Sequence, residues 1–370
     1  MSPLFRIQSC WSKAGVGTCI VLDYHQTNSI VLDLGATPNY GDTLRSGVVL
    51  LTHGHLDHVG AIFSHARAYS LMHSGLPATY YVPLELVPLL TRAKVCMDAL
   101  DVENHAEASD KSGLKMNFVG VTPGDEFDLP IKKHLKGETI FIRVFRTFHG
   151  GAPSVGYVIG VRQKASLKEE YQGLSCDQLR ELAISKANIK ESIESLEVAY
   201  TGDTTVETFQ QQYNIEDKSA LHLDQAFQCH YFLTESTVLD NDEASRSKAH
   251  SMGHMHVQDV LEAVVPRVRH VLVLLHISGR YEAKLAMQLI AAAMPSSVTC
   301  LVAVSSLDRV MQHFGRMVPI NGLWLVSAYR NQQHFQNENT TTTNPIASSN
   351  EVSKRTPKSL PGNSNANQNK

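Results

Sequence analysis

Six cysteines in 370 residues, at positions 10, 19, 96, 176, 229 and 300, form no C-x-x-C pair. Scattered thiols argue against a disulfide framework and for a reducing compartment. Long apolar runs are missing too. Val271-Leu272-Val273-Leu274-Leu275 is among the longest, whereas a membrane-spanning helix needs about 20 such residues. A formal net charge of −3 excludes the global basic field common in nucleic-acid binders, so any such contact must come from local patches. No internal repeat is present. The first acid is Asp23, and Arg6 and Lys13 precede it, a faint likeness to a mitochondrial presequence. A signal-peptide apolar core is also lacking, and Thr18-Cys19-Ile20-Val21-Leu22 already reads as a strand, leaving too little room for a leader. The expected compartment is cytoplasmic or nuclear, with mitochondrial as the alternative.

What the chain does have is a hydrophobic fraction of 43%, ordinary for a globular core, and one concentrated polar motif. Thr52-His53-Gly54-His55-Leu56-Asp57-His58-Val59-Gly60 follows the buried-strand pattern Gly47-Val48-Val49-Leu50-Leu51, so the motif opens a loop at a strand end. His53 and His55 are two apart and can grip one cation from an extended loop. Asp57 and His58 come next, where a turn carries them to a second. Imidazole suits Zn²⁺, and a carboxylate completes a borderline-hard site. One H-x-H-x-D-H run cannot fill two tetrahedral shells. The rest of the chain must supply a third His, a shared carboxylate and a further His.

Strand ends downstream supply them. The run 139–148 alternates with period two and ends at His149. Glu197-Val198-Ala199-Tyr200 leads into Thr201-Gly202-Asp203-Thr204, where Gly202 permits close approach of the backbone. Val271–Leu275 delivers His276. Asp33 ends the second of two strands expected over 18–24 and 29–34, and is placed to orient a ligand histidine. Helices are expected over 58–69, 84–100, 175–187, 257–265 and 281–293, and strands over 79–82, 117–128, 155–161 and 231–237. Leu86, Leu89, Leu90 and Ala93 are assigned to core packing, and His256 to a structural role.

Two segments differ in character. Residues 162–196 carry Arg162, Lys164 and Lys168 among polar residues, and Ser175-Cys176-Asp177-Gln178 reads as a capping box. Beyond about Tyr329 the chain turns to Asn, Gln, Thr and Ser, a composition expected to stay disordered. The expected organisation is one hydrolase domain over 1–328, with 162–196 as an insertion, and a polar tail over 329–370. Lys132, Lys133 and Lys136 form a further local basic patch.

With His53, His55, Asp57, His58, His149, Asp203 and His276 in this order, the chain resembles the metallo-β-lactamase superfamily. Within it, three stretches are similar to tRNase Z, the tRNA 3′-end endonuclease: Glu235-Ser236-Thr237 through Gly253-His254-Met255-His256; His276-Ile277-Ser278-Gly279-Arg280-Tyr281; and Lys168-Glu169-Glu170-Tyr171-Gln172-Gly173-Leu174-Ser175. Ile277 stands where Phe is usual, and no P-x-K-x-R-N loop is found. The resemblance implies an α/β fold, the αββα four-layer sandwich, with two Zn²⁺ per chain. One would sit on His53, His55 and His149, the other on Asp57, His58 and His276, with Asp203 shared. It implies removal of the 3′ trailer from precursor tRNA by phosphodiester hydrolysis, leaving a 3′-hydroxyl. In that reading Asp57 takes the proton of the attacking water and His254, oriented by Glu235, protonates the leaving oxygen. Ser278 and Arg280 bind phosphate, Lys164 and Lys168 grip the tRNA, and the protein is a homodimer. The alternative is a binuclear-zinc hydrolase of the same fold acting on a small ester, thioester or cyclic nucleotide.

Overall fold

The computed structural model describes residues 2–26, 28–36, 40–103, 114–129, 137–163, 166–185, 189–211, 216–303 and 323–331. The chain divides into two units, Met1–Asn331 and Gln332–Lys370. The second unit lies outside the described residues, as do Lys132, Lys133, Lys136 and Lys164.

The first sheet contains β1 (Phe5–Lys13), β2 (Gly17–Tyr24), β3 (Asn28–Leu34), β4 (Val48–Leu50), β5 (Ala78–Pro83) and β6 (Met116–Val121), in that spatial order. Further along come β7 (Glu126–Leu129), β8 (Glu138–Arg146) and β9 (Val155–Gln163), then a short ladder of β10 (Ser166–Leu167) with β11 (Lys190–Glu191). β12 (Glu194–Tyr200), β13 (Tyr231–Glu235), β14 (Val271–Leu275), β15 (Thr299–Ala303) and β16 (Leu323–Leu325) complete the set. Among the described residues the second sheet has the order β16-β15-β14-β13-β12-β9-β8-β7.

The apolar pattern explains the layering. Alternate residues of a strand face opposite sides. In the first sheet Ile20, Leu22, Leu32 and Leu50 point inward against Ile142, Tyr157, Ile159, Leu233 and Val273 of the second. Val21, Val31, Val49 and Tyr80 point outward beneath the helix Ile62–Met72. On the far side, Val158, Ala199, Phe232 and Leu272 are covered by Leu223 and Ala226 of the helix Lys218–Ala226, and by Met287 and Ile290 of the helix Ala283–Ala293. Strands buried on both faces must be apolar at nearly every position, which is why β14 reads Val-Leu-Val-Leu-Leu. The result is the expected helix–sheet–sheet–helix sandwich.

Strand direction positions the site. β3, β4 and β5 run parallel, as do β12, β13 and β14. β8 is antiparallel to β9, and β9 to β12, so β8 runs the same way as β12. The residues that follow β8, β12 and β14 are therefore delivered to one edge of the second sheet, and the contacts of His58 with Asp203 and His276 bring the end of β4 to the same edge.

Several elements differ from expectation. The stretch 117–128 is two strands, β6 and β7, in different sheets. A turn at 122–125, fixed by Thr122 N–H donating to Asp125 Oδ2 at 2.7 Å, divides them. The helix expected over 58–69 is two pieces, Leu56–Val59 and Ile62–Met72. Leu86 and Leu90, four apart, face the sheet, but Leu89 is exposed, because one residue turns a helix by about 100°. β1 and the helix Glu243–Ser251 were not expected. No helix among the described residues is long and apolar enough to cross a membrane.

Candidate metal centre

Seven side chains from four strand ends meet at this edge. His53, His55 and His149 bring ligand nitrogens within 4.8 Å of one another, and so do Asp57, His58 and His276 with their ligand atoms. Asp203 lies between the two groups. Its Oδ1 is 3.4 Å from His58 Nε2, and its Oδ2 is 3.3 Å from His276 Nε2 and 3.9 Å from both His53 Nε2 and His149 Nε2. The structure thus brings together every metal-ligating residue expected from the sequence.

The outer ring atoms are anchored, which aims the inner ones. Asp33 is the main anchor. Its carboxylate accepts from His58 Nδ1 at 2.7 Å, from Thr52 N–H and Thr52 Oγ1 at 2.8 Å each, and from the Tyr200 hydroxyl at 2.6 Å. Thr52 Oγ1, having donated its proton, accepts from His53 Nδ1 at 3.0 Å. One buried carboxylate therefore fixes two imidazoles, one directly and one through a hydroxyl. His149 Nδ1 donates to the Gly253 carbonyl at 2.6 Å. In each ring the remaining nitrogen, Nε2, presents a lone pair to the centre. Gly202 makes the arrangement sterically possible: at φ +62° any Cβ would stand 2.4 Å from Thr52 Oγ1.

The inner atoms fit cations. His53 Nε2 is buried without a hydrogen-bond partner among the described residues. His55 Nδ1 faces His149 Nε2 at 3.1 Å, and His58 Nε2 faces His276 Nε2 at 3.4 Å. Lone pairs so opposed repel unless something positive lies between them, and ligand nitrogens of a tetrahedral zinc stand about 3.3 Å apart. Electrostatics agree. Burial, followed by the neighbouring His58, holds His53 well below its ordinary pKa. Burial works against ionisation of Asp203 too, but the His276 and His58 imidazoles overcome it and keep the carboxyl well below the usual range. Burial also works against charge on His58, but Asp203 and Asp33 overcome it and lift its pKa well above the ordinary value, so a cation held there would take the place of the proton on His58, since metal binding requires a neutral imidazole.

A second group adjoins it. His254 Nδ1 lies 3.2 Å from each oxygen of Glu235 and 3.9 Å from Asp203 Oδ2. Glu235, at the end of β13, is held by Thr204 N–H at 2.6 Å and by the Thr237 hydroxyl. Burial would lower the His254 pKa, but Glu235 and then Asp203 lift it to about 9. His256 serves the fold, capping a helical turn through Gln258 N–H and donating to the Asp240 carbonyl.

The expected substrate-binding residues are placed differently. Arg280 pairs with Asp240 and hydrogen-bonds the Tyr281 hydroxyl at 2.5 Å, so its charge already has a partner. Ser278 lies beside it, accepting from Arg280 N–H at 3.5 Å. Lys168 precedes a short turn in the arm between β10 and the helix Cys176–Ile184, far along the chain from the ligands. That arm is not basic. Over 166–185 it carries Lys168 and Arg180 against Glu169, Glu170, Asp177 and Glu181. Arg162 is taken up by Glu126, Asp128 and Glu194, so it braces β7, β9 and β12 instead of joining a cationic face. The capping box at Ser175 and Gln178 is present as expected.

Some partners left no sequence signal. Gly15 N–H, in the turn between β1 and β2, donates to Asp57 Oδ2 at 2.9 Å. Ser12 Oγ accepts from His276 N–H at 3.0 Å. These are backbone contacts between residues 42 and 264 positions apart, invisible to motif reading.

A sandwich of this layering, with an imidazole–carboxylate cluster on the edge where its parallel strands end, defines a hydrolase of the metallo-β-lactamase class. No family model matches the chain. It is 31% identical over 273 residues to tRNase Z TRZ1 of Arabidopsis thaliana, covering 74% of this chain and 85% of that protein. The chain belongs to the tRNase Z family. It is also 28% identical over 274 residues to the chloroplastic tRNase Z TRZ2 of the same plant, covering 73% and 67%. Among solved structures, the short form of human tRNase Z aligns with a TM-score of 0.43 at 14% identity, over 75% of this chain and 93% of that one.

Proposed function

We propose that this chain is a zinc-dependent endoribonuclease that removes the 3′ trailer from precursor tRNA and leaves a 3′-hydroxyl. The observation that carries the reading is the Glu235–His254 pair at 3.2 Å beside the cluster, taken with family membership. Hydrolysis that expels an RNA 3′-oxygen needs a proton donor on the leaving side, and this pair supplies one.

Zinc, two ions per chain, suits the imidazole and carboxylate donors. His53, His55 and His149 would hold one, Asp57, His58 and His276 the other, with Asp203 shared. When bound, such a pair lowers the pKa of water toward neutrality and offsets the charge a phosphodiester gains in the transition state. The protein's own groups do the rest. Asp57, fixed by Gly15 N–H, orients the attacking water and takes its proton. Glu235 holds His254 through Nδ1, which leaves Nε2 as the atom that delivers a proton to the departing 3′-oxygen. Ser278 contacts a flanking phosphate. Arg280 contributes there only as far as it can share its guanidinium with Asp240. The arm, with Lys168 and Arg180, reaches the tRNA body, and Lys164, which precedes it in the sequence, contributes a further charge.

A homodimer is part of the proposal. The helix Val87–Glu103 presents Leu89, Met97 and Leu100 as an exposed apolar stripe, the kind of surface a second copy covers. The six thiols are free, which suits the cytoplasm or nucleus.

The test is purified zinc-loaded protein with a 3′-trailered precursor tRNA, with and without chelator. The expected result is chelator-sensitive cleavage to a tRNA ending in a 3′-hydroxyl and a trailer with a 5′-phosphate. Failure to cut the precursor, with hydrolysis of small esters intact, would reject the nuclease reading.

A further inference from the structure

We propose that the cavity beside His149 receives the base of the nucleotide whose 3′-oxygen leaves, and that it favours bases bearing an amino group over uridine. The inference rests on the nuclease reading above. The cavity measures about 580 Å³, and its lining includes Phe148, Gly150, Thr205, Glu207, Gln210 and His250. Small-ligand sites span about 300–1,000 Å³.

Its position follows from chain adjacency. Phe148 directly precedes His149, and Thr205 follows Asp203 by two residues. A Cβ at Gly150 would stand 3.6 Å from Gly253 Cα, and Gly253 precedes His254. His250 belongs to the helix Glu243–Ser251 that leads into the same loop. The cavity therefore opens on the side of the cluster where the proton donor sits. The nucleotide on that side is the one that keeps the 3′-oxygen. Neighbouring sugar and base lie within one nucleotide of the scissile phosphate, so a base stacked here needs no long excursion.

Its chemistry is that of a base site. Phe148 is held by its backbone: its N–H donates to Thr208 Oγ1 at 2.8 Å, and its carbonyl accepts from Thr205 N–H at 2.7 Å. Yet the residue is 41% exposed and lines the cavity. An apolar ring so displayed on a rigid backbone is a stacking platform. Thr205 is only 5% exposed, and its Oγ1 is buried with no hydrogen-bond partner among the described residues. A buried hydroxyl without a partner is costly, and a ligand edge would satisfy it. Glu207 and Gln210 are exposed at the rim. A carboxylate there accepts from an exocyclic amino group and repels a phosphate, and an amide can read a base edge in two places. His250 is clamped by Asp259 at 2.6 Å and keeps its ring fixed as a wall. Nothing in the hydrolytic machinery uses these groups.

The experiment compares precursor tRNAs that differ only in the last retained nucleotide: adenosine, cytidine, uridine, or an abasic sugar. A small phosphodiester, bis(p-nitrophenyl) phosphate, serves as the baseless control. Wild-type kcat/KM should fall about tenfold to a hundredfold from adenosine to abasic, the usual worth of stacking one base. Phe148→Ala should lose a similar factor on the adenosine precursor, well beyond its loss on the small diester, and little more on the abasic one. Glu207→Gln, an isosteric change at the surface, should narrow the adenosine-to-uridine ratio, which guards against a folding defect in the Phe148 variant. Equal losses for Phe148→Ala on intact and abasic precursors, or wild-type indifference to the base, would overturn the site while leaving the nuclease reading standing. A wild-type protein that cuts none of the precursors would overturn both.

Discussion

His254 Nδ1 lies equidistant, at 3.2 Å, from the two carboxylate oxygens of Glu235, a residue 19 positions earlier at the end of β13. A bifurcated anchor of this kind fixes the ring and favours its protonated form, and His254 sits at about 9 as a result once burial is overcome. His254→Ala should slow cleavage about 10²–10⁴-fold, the usual worth of a general acid. A substrate with a better leaving group should recover most of that loss; equal defects on both would rule out proton donation. The sign of the pH effect follows: the rate falls as pH rises and His254 loses its proton. Cations held at Asp203 would offset one of the charges that raise it, which places the falling limb below 9. That limb should vanish in His254→Ala.

Asp57 touches both the turn before β2 and His276, accepting from Gly15 N–H and lying 3.2 Å from His276 Nε2. Asp57→Ala should abolish cleavage of a 3′-extended precursor while leaving tRNA binding largely intact in a filter or anisotropy assay. Turnover near the wild-type rate would remove Asp57 from the mechanism.

Asp33 is fully buried and anchors His58 directly and His53 through Thr52. It does so at φ +50°, a backbone strain the surrounding contacts sustain. Asp33→Asn turns an acceptor into a group that faces donors with a donor. Zinc affinity should drop about 10–100-fold, the usual effect of losing a partner behind a ligand histidine. Chelator competition measures it directly, without reference to activity. Unchanged affinity would mean the ligand rings are held by packing alone.

Much of this site was legible in the sequence because metal ligands need particular side chains at strand ends, and strand ends announce themselves by apolar runs. His53 through His58, His149, Asp203 and His276 all follow such runs, and Asp33 could be placed beside them for the same reason. What failed to read had weaker physics in the local sequence. β6 and β7 look like one strand because alternation is the same on either side of the turn at 122–125, and only the sheet decides which half goes where. The helix Glu243–Ser251 has a single buried residue, Ala249, and depends on an Asp242 cap and on Arg246 reaching Asp259. Without an apolar stripe it carries no periodicity to detect. The pairing of Arg280 with Asp240 left no signal, because the two lie 40 residues apart and no spacing rule links them.

Buried His65 predicts the acid behaviour of the metal-free fold. It contacts the Tyr80 hydroxyl at 2.7 Å and the Thr43 carbonyl at 3.3 Å, with His73 nearby, and burial lowers it from 6.5 to about 4. The folded state thus binds fewer protons than the unfolded state between those values. Stability is complete above pH 6.5 and falls as pH drops through that window, by up to about 3 kcal/mol for this one group. Urea midpoints of chelated protein at pH 7 and pH 5 should show a steeper fall in the wild type than in His65→Gln. Parallel slopes would mean that His65 can take up a proton in place.

The exposed stripe of Leu89, Met97 and Leu100 predicts a dimer that charge would split. Leu89→Asp with Met97→Asp should sediment as a monomer with its thermal midpoint little changed, since neither residue is part of the core. A wild type that is already monomeric at micromolar concentration would end that proposal.

Anomalous diffraction at the zinc absorption edge, on crystals of the zinc-loaded protein, tests the centre itself. Two peaks are expected roughly 3.5–4 Å apart, as in two-metal hydrolytic sites, one among His53, His55 and His149, the other among Asp57, His58 and His276, with Asp203 reaching both. A single peak, or peaks away from these side chains, would contradict the two-ion centre.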